Sequence, residues 1–140
     1  MKQIGIEQLI PQRAPIRMVD ELLKAEEHEG VCQFVIRQDN RFLEADGSLS
    51  AAGLVEHIAQ SASALCGYHA LERGEQQPPK AYIGEVKHFH CYRQPRIGEV
   101  LQTHIKLYAQ VANITLLEGT VEVQGELIAE TQLKIGLHAT

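Results

Sequence analysis

Ser50-Ala-Ala-Gly-Leu-Val-Glu-His-Ile-Ala-Gln-Ser-Ala-Ser-Ala-Leu-Cys-Gly-Tyr-His-Ala-Leu71 is the stretch that decides how this chain folds. It contains no Pro and only Gly53 and Gly67 as helix breakers. Leu54, Ile58, Ser61 and Leu65 recur three and four residues apart, which predicts one long helix. Its flanks are Ala51, Ala52, Ala59, Ala62, Ser63 and Ala64, and Glu56 is its only acid. A helix so short of charge on every side is expected to be buried nearly all round. The rest of the chain must therefore wrap it.

Period-two alternation downstream supplies the wrapping. Leu101, Thr103, Ile105 and Leu107 alternate with Gln102, His104, Lys106 and Tyr108, as in a half-buried strand. The pattern returns through Ile114 to Val123 and, after a turn at Gln124-Gly125, through Leu127 to Ile135. Arg17 to Glu27 and Val31 to Gln38 read as another pair of strands, and Ala81 to Tyr92 as a single strand between the Pro79 loop and the Pro95 to Gly98 turn. The order is short helix, two strands, long helix, four strands. About six antiparallel strands and one apolar helix make an α+β arrangement, most economically a curved sheet wound around the helix. Strand edges need a partner or protection, so a dimer is expected.

Length and composition bound the rest. With 140 residues and 44% apolar residues, the chain is expected to form one domain, residues 1–140, with a core that needs no metal or disulfide staples. A net charge of −5 argues against nucleic-acid binding, which needs a cationic face. Polar Gln3, Glu7 and Gln8 interrupt the start, and no long apolar run follows, so neither a signal peptide nor a membrane span is expected and the cytoplasm is the expected location. Cys32, Cys66 and Cys91 lack CxxC spacing and read as reduced, mostly buried thiols.

Glu56 is the residue that invites chemistry. Burial raises a carboxylate pKa and a helix amino terminus lowers it, so a carboxylate there is a candidate general acid or base. A solvated or hydrogen-bonded structural role is the competing reading. Gln60 lies one turn on, along the same face, with Ser63 and Gly67 continuing the row. Gln60 either faces a substrate channel or bonds neighbouring backbone, and Ser63 is expected to do the latter. N–H groups at Gly53 and Ala52 can approach a thioester carbonyl and stabilise developing negative charge, unless the small residues serve close packing. His57 is expected at an interface or partly exposed, turned away from Glu56. His88 and His90 would share one strand face, but two ligands do not make a site, so neither metal nor cofactor is expected. Between Lys80 and Lys106, five basic residues outnumber Glu85 and Glu99, a local excess that is either a solvated face or a landing patch for an acidic partner.

Four segments together carry a resemblance: Leu9-Ile-Pro-Gln-Arg-Ala-Pro-Ile-Arg-Met-Val-Asp20, Leu54-Val-Glu-His-Ile-Ala-Gln60, Ala81-Tyr-Ile-Gly-Glu-Val86 and Arg93 to Gly98. In this order, over roughly Ile4 to Leu137, the chain resembles the FabZ-type β-hydroxyacyl-(acyl carrier protein) dehydratases, and more closely a short-looped subgroup seen in aryl-polyene-like pathways. The resemblance implies the hotdog fold, usually dimeric with active sites between subunits. It also implies that Glu56 and Gln60 are the family's helix carboxylate and the Gln four residues on. The family's second catalytic group is a His in the loop before the helix. Here that loop, Asn40-Arg-Phe-Leu-Glu-Ala-Asp-Gly-Ser-Leu-Ser50, is shorter and has no His, and the family's Pro-His-Arg has become Pro11-Gln12-Arg13.

Three functions are then in play. The first is a dehydratase-like protein acting on acyl thioesters of acyl carrier protein or coenzyme A in a fatty-acid-like or polyene pathway. In it Glu56 is the acid or base, Asp46 or Glu44 replaces the lost base, Gly53 and Gln60 hold substrate, and the basic 80–106 segment meets the carrier. The second is a hotdog acyl thioesterase in which Glu56 activates water or attacks the carbonyl. The third is a catalytically silent subunit in a mixed complex with a His-bearing dehydratase, as against a homodimer.

Overall fold

Ser50 starts the long helix. Its backbone is extended (φ −70°, ψ 162°) and its Oγ accepts the Gly53 N–H at 3.1 Å, capping α1, Ala51–Glu72. At the other end Gly74 adopts φ +89°, and the N–H groups of Gly74 and Glu75 reach back to Leu71 and Ala70, a turn that glycine enters without strain. This is the helix over 50–71 that the spacing predicts. From His57 to Gly67 every residue is buried, as its lack of charge requires.

A computed structural model describes residues 4–138; Met1–Gln3 and the last two residues of the expected 1–140 domain lie outside the described residues. After a 3-10 turn, Ile6–Gln8, come β1 (Glu21–Ala25), β2 (Glu29–Val35), α1, β3 (Lys80–Cys91), β4 (Val100–Val111), β5 (Ile114–Val123) and β6 (Glu126–His138). All neighbours are antiparallel, in the order β1-β2-β4-β5-β6-β3. Leu101, Thr103, Ile105 and Leu107 of β4 point to the helix while Gln102, His104, Lys106 and Tyr108 face out. Together with Leu117 and Val121 of β5 and Leu133 and Ile135 of β6 they pack on Leu54, Ile58, Ala62 and Leu65. Burying each Leu or Ile stabilises by about 1.5–3 kcal/mol. The β5–β6 hairpin turns at Gln124 (φ 50°) and Gly125 (φ 82°), the two positive φ values that a two-residue hairpin with matching twist demands.

The amino-terminal segment closes the opposite side of the helix. Ile6, Leu9 and Ile10 form a second small core with Val19, Leu22, Cys32 and Ala64. Arg13 holds this segment in shape by donating to the carbonyls of Glu7 (2.9 Å) and Ile10 (2.8 Å). Gly67 lets it sit close, since a Cβ there would lie 1.9 Å from the Leu9 carbonyl oxygen. Gly67→Ala is accordingly expected to cost about 1–3 kcal/mol by overpacking. Urea unfolding checks this, and an unchanged midpoint would mean that the Leu9 backbone yields freely.

The first strand is shorter than Arg17 to Glu27 because Met18 and Asp20 are pinned elsewhere. Met18 bonds to the helix through both its N–H and its carbonyl. Asp20 accepts from Val35 N–H at 2.8 Å and from both terminal nitrogens of Arg37 at 3.0 Å. The second strand ends at Val35, not Gln38, because Ile36 exchanges hydrogen bonds with Glu99 and Gly98 of the next turn. His88 and His90 do not share a regular strand face: a bulge between Lys87 and His90 sets His88 at φ 53°. Of the thiols, Cys32 and Cys66 are buried and Cys91 is exposed.

His57 is the largest departure. Expected at an interface or partly exposed, it has no accessible surface. The Met18 carbonyl lies 2.6 Å from Nδ1, so Nδ1 donates, and the neutral ring's Nε2 accepts from Thr103 Oγ1 at 2.6 Å. Both polar atoms are satisfied, which is what allows an imidazole in this core.

The two sheet edges differ. β1 is five residues long, whereas β3 spans twelve and exposes Tyr82, Ile83 and Val86. Among the described residues no helix is long and apolar enough to cross a membrane.

Candidate active site

Glu56 and Gln60 share a face of α1, and a continuous set of hydrogen bonds fixes them. The Met18 N–H donates to Gln60 Oε1 at 2.6 Å, which settles the orientation of the amide. Its NH2 therefore faces the other way, donating to the Ile16 carbonyl at 3.0 Å and to Glu56 Oε2 at 2.6 Å. A fully buried amide thus aims a donor at a half-buried carboxylate and fixes its rotamer. Glu56 Oε1 has no partner among the described residues.

Glu56 opens into a small pocket of about 120 Å³ between the helix, the edge strand β3 and Gln12. Ala59, Gln60, Ser63, Tyr82 and Ile135 complete most of its lining. The Tyr82 ring lies directly over Gly136, where any Cβ would overlap it, so this glycine makes room for an aromatic wall. A carboxylate with one free oxygen at the mouth of a partly apolar cleft can donate or accept a proton at a bound substrate.

The structure brings Glu56 and Gln60 together but not Asp46 and Gly53, neither of which lines this pocket. Asp46 caps a turn, accepting from the Ser48 N–H at 3.0 Å and the Ser48 hydroxyl at 2.6 Å. Those bonds hold its carboxyl below the usual carboxylate range, and exposure leaves it in water near Arg96. Such a group is a weak base. Glu44 lies in the same loop, where its carboxylate accepts from Gln94 Nε2 at 3.2 Å. The Gly53 N–H is already used by Ser50, and a Cβ at Gly53 would lie 2.6 Å from the Phe42 Cβ, so its smallness serves packing under the 40–50 loop.

One further expectation changes. Among the described residues Ser63 bonds no strand backbone; its hydroxyl is buried without a partner. Within the basic segment Arg93 forms a fork to Glu99 (2.9 and 3.2 Å) and reaches Glu126, Arg96 bonds the Asp46 carbonyl, and Lys87 pairs with Glu85. Among the described residues no three His, Cys, Asp or Glu side chains gather as a metal would require. Sequence reasoning missed Tyr82 as a wall of the pocket and noticed Gln12 only as a departure from a family motif.

A six-stranded sheet rolled around one buried helix, with the carboxylate of Glu56 in that helix opening beside the edge strand, defines a hotdog-fold protein of the dehydratase-like class. Over residues 4–137 the chain matches the model of the ApeP-like proteins, described as ApeP dehydratase, and it belongs to that family. It is 27% identical over 136 residues, 94% of this chain and 93% of the relative, to a 3-hydroxyacyl-(acyl-carrier-protein) dehydratase FabZ from Pseudothermotoga lettingae. In structure it is similar to a chain of the dehydratase heterocomplex ApeI:P from Xenorhabdus doucetiae, with a TM-score of 0.90, 21% identity and 97% and 92% of the two chains covered. It is also similar in fold to a hypothetical thioesterase from Streptococcus pneumoniae solved with coenzyme A, with a TM-score of 0.63, 11% identity and 86% of each chain covered.

Proposed function

We propose that this chain takes part in removing water from 3-hydroxyacyl groups held as thioesters on acyl carrier protein, giving the 2-enoyl thioester. The observation that carries the reading is the Glu56 carboxylate, oriented by Gln60 and left with one unpartnered oxygen in a cleft beside the edge strand. In the elimination the α-carbon loses a proton, the Cα–Cβ double bond forms and the β C–O bond breaks. Glu56, protonated on its free oxygen, gives its proton to the departing hydroxyl, which leaves as water. The Gln60 N–H then steadies the carboxylate that remains.

The α-proton needs a base, and the 40–50 loop has no His to serve. We therefore place that base on a second hotdog chain. The long edge of β3, which exposes Tyr82, Ile83 and Val86 and forms one wall of the Glu56 pocket, offers the row of backbone groups along which such a chain would pair. The heterocomplex of the structural neighbour supports a mixed assembly over a homodimer.

A second reading rests on the thioesterase neighbours: the same carboxylate activates water against the thioester carbonyl. The product separates the two. With a 3-hydroxyacyl carrier thioester, the chain plus a His-bearing dehydratase partner is expected to produce the conjugated enoyl, seen by its ultraviolet absorbance, and the chain alone little of it. Release of free thiol without enoyl would replace dehydration by hydrolysis.

A further inference from the structure

His57 is fully buried, yet nothing in the proposed chemistry uses it. It follows Glu56 directly in α1, and successive helix positions turn by about 100°, so the two side chains leave the helix on different faces. They nevertheless connect through the backbone of Met18. The His57 ring holds the Met18 carbonyl, 2.6 Å from Nδ1. The Met18 N–H donates to Gln60 Oε1 at 2.6 Å, and Gln60 Nε2 donates to Glu56 Oε2 at 2.6 Å. Chemistry fixes each orientation in this series. A carbonyl oxygen only accepts, so Nδ1 donates; a backbone N–H only donates, so the Gln60 oxygen faces Met18 and its NH2 faces Glu56.

The imidazole itself is held from two further sides. Thr103 Oγ1 lies 2.6 Å from Nε2, and the Phe34 ring stacks on it with centroids 5.7 Å apart. Its Nδ1 is therefore a fixed point, set by the helix and the sheet, against which the segment before β1 is placed. Gln60 touches that segment twice, at the Ile16 carbonyl and the Met18 N–H. Were Met18 to shift, the Gln60 amide would follow it or lose its donor, and the N–H aimed at Glu56 would go with it. Building on the proposed dehydration, we infer that His57 is a positioning residue for that reaction: it anchors Met18, so that Gln60 presents the Glu56 carboxyl to the substrate in one rotamer.

Amide substitutions separate this role from simple core packing. The Asn side-chain nitrogen stands where Nδ1 stands in His, and the Gln side-chain nitrogen where Nε2 stands, and both are donors. His57→Asn therefore keeps the bond to Met18 and loses Thr103, whereas His57→Gln keeps Thr103 and loses Met18. Thr103→Val removes the outer partner and leaves the ring on Met18. All three should melt below the wild type. With the protein assembled with its partner on a 3-hydroxyacyl carrier thioester, His57→Gln should lower kcat for enoyl formation about 10–100-fold at nearly unchanged KM, the scale of a misplaced catalytic group. His57→Asn should rescue kcat, and Thr103→Val should retain it. The side-chain NH2 resonances of Gln60 in a nitrogen–proton correlation spectrum give a readout independent of turnover: they should shift in His57→Gln and hold their places in the other two. An unchanged kcat in His57→Gln overturns the inference. So does a kcat that falls with stability in His57→Asn or Thr103→Val, a result that stands however His57→Gln folds and would leave His57 to the core alone. A wild-type assembly that forms no enoyl defeats the dehydration reading instead. The Gln60 resonances then decide the anchoring by themselves: a shift confined to His57→Gln upholds it, and any other pattern overturns it.

Discussion

Glu56→Gln is expected to lower enoyl formation by the assembled protein by about 10²–10⁴-fold, the usual contribution of a positioned acid or base. The substitution is nearly isosteric, and the new amide oxygen can still accept the Gln60 N–H that now binds Glu56 Oε2 at 2.6 Å. The backbone bonds of Gln60 to Ile16 and Met18 do not involve residue 56 and should persist. What is lost is the exchangeable proton of the carboxyl group, so turnover should fall at constant melting temperature. Undiminished turnover would remove Glu56 from the chemistry and leave only the architecture standing. Gln60→Leu is the instructive neighbour. It leaves the Met18 N–H and Ile16 carbonyl unpaired and frees the carboxylate, so it should reduce both stability and rate, where Glu56→Gln reduces only the rate.

Acidification is expected to unfold the protein through His57. Burial is the main cause that lowers its pKa from 6.5 to about 4, opposed by the bond to Met18 and the nearby charge of Asp20. The unfolded chain binds a proton near 6.5, while the folded protein refuses it until about 4. Between those values the unfolded state carries more protons, so stability rises with pH there and is lost as pH falls. At 1.36 kcal/mol per pKa unit the loss across this window is about 3 kcal/mol, a large share of the 5–15 kcal/mol typical of a domain. The contribution is fully present above pH ~6.5. Denaturant unfolding at pH 7, 5.5 and 4, on the wild type and on His57→Leu, measures it. The variant starts less stable, because the Met18 carbonyl and the Thr103 hydroxyl lose their partner, but its stability should fall less steeply over the window. Parallel slopes would show that the ring takes up its proton in place.

Much of the architecture was legible because it rests on local periodicity. The charge-poor run from Ala51 to Leu71 required a helix that something wraps, and the alternation in β4, β5 and β6 said what wraps it. Glu56 was legible for the same reason, as one acid among small and apolar residues. The reading was weaker wherever side chains bond to distant backbone. The strand limits near Arg17 and Gln38 shifted because Asp20, Arg37 and Met18 serve contacts made far along the chain. His57 could not be read as a core residue, since a buried imidazole is tolerable only when a carbonyl and a hydroxyl meet its two nitrogens, and Thr103 lies 46 residues away in the chain.

The sequence alone thus determined a buried helix, the antiparallel strands around it and one carboxylate placed where a carboxylate is costly. Tertiary structure alone decided that Gln60 aims that carboxylate, that Asp46 caps a turn and Gly53 packs beneath a loop away from it, and that Gln12 and Ser63 line the same cleft. Periodicity is a property of neighbours along the chain. Hydrogen-bond partnership depends on which atoms the fold brings within about 3 Å of one another.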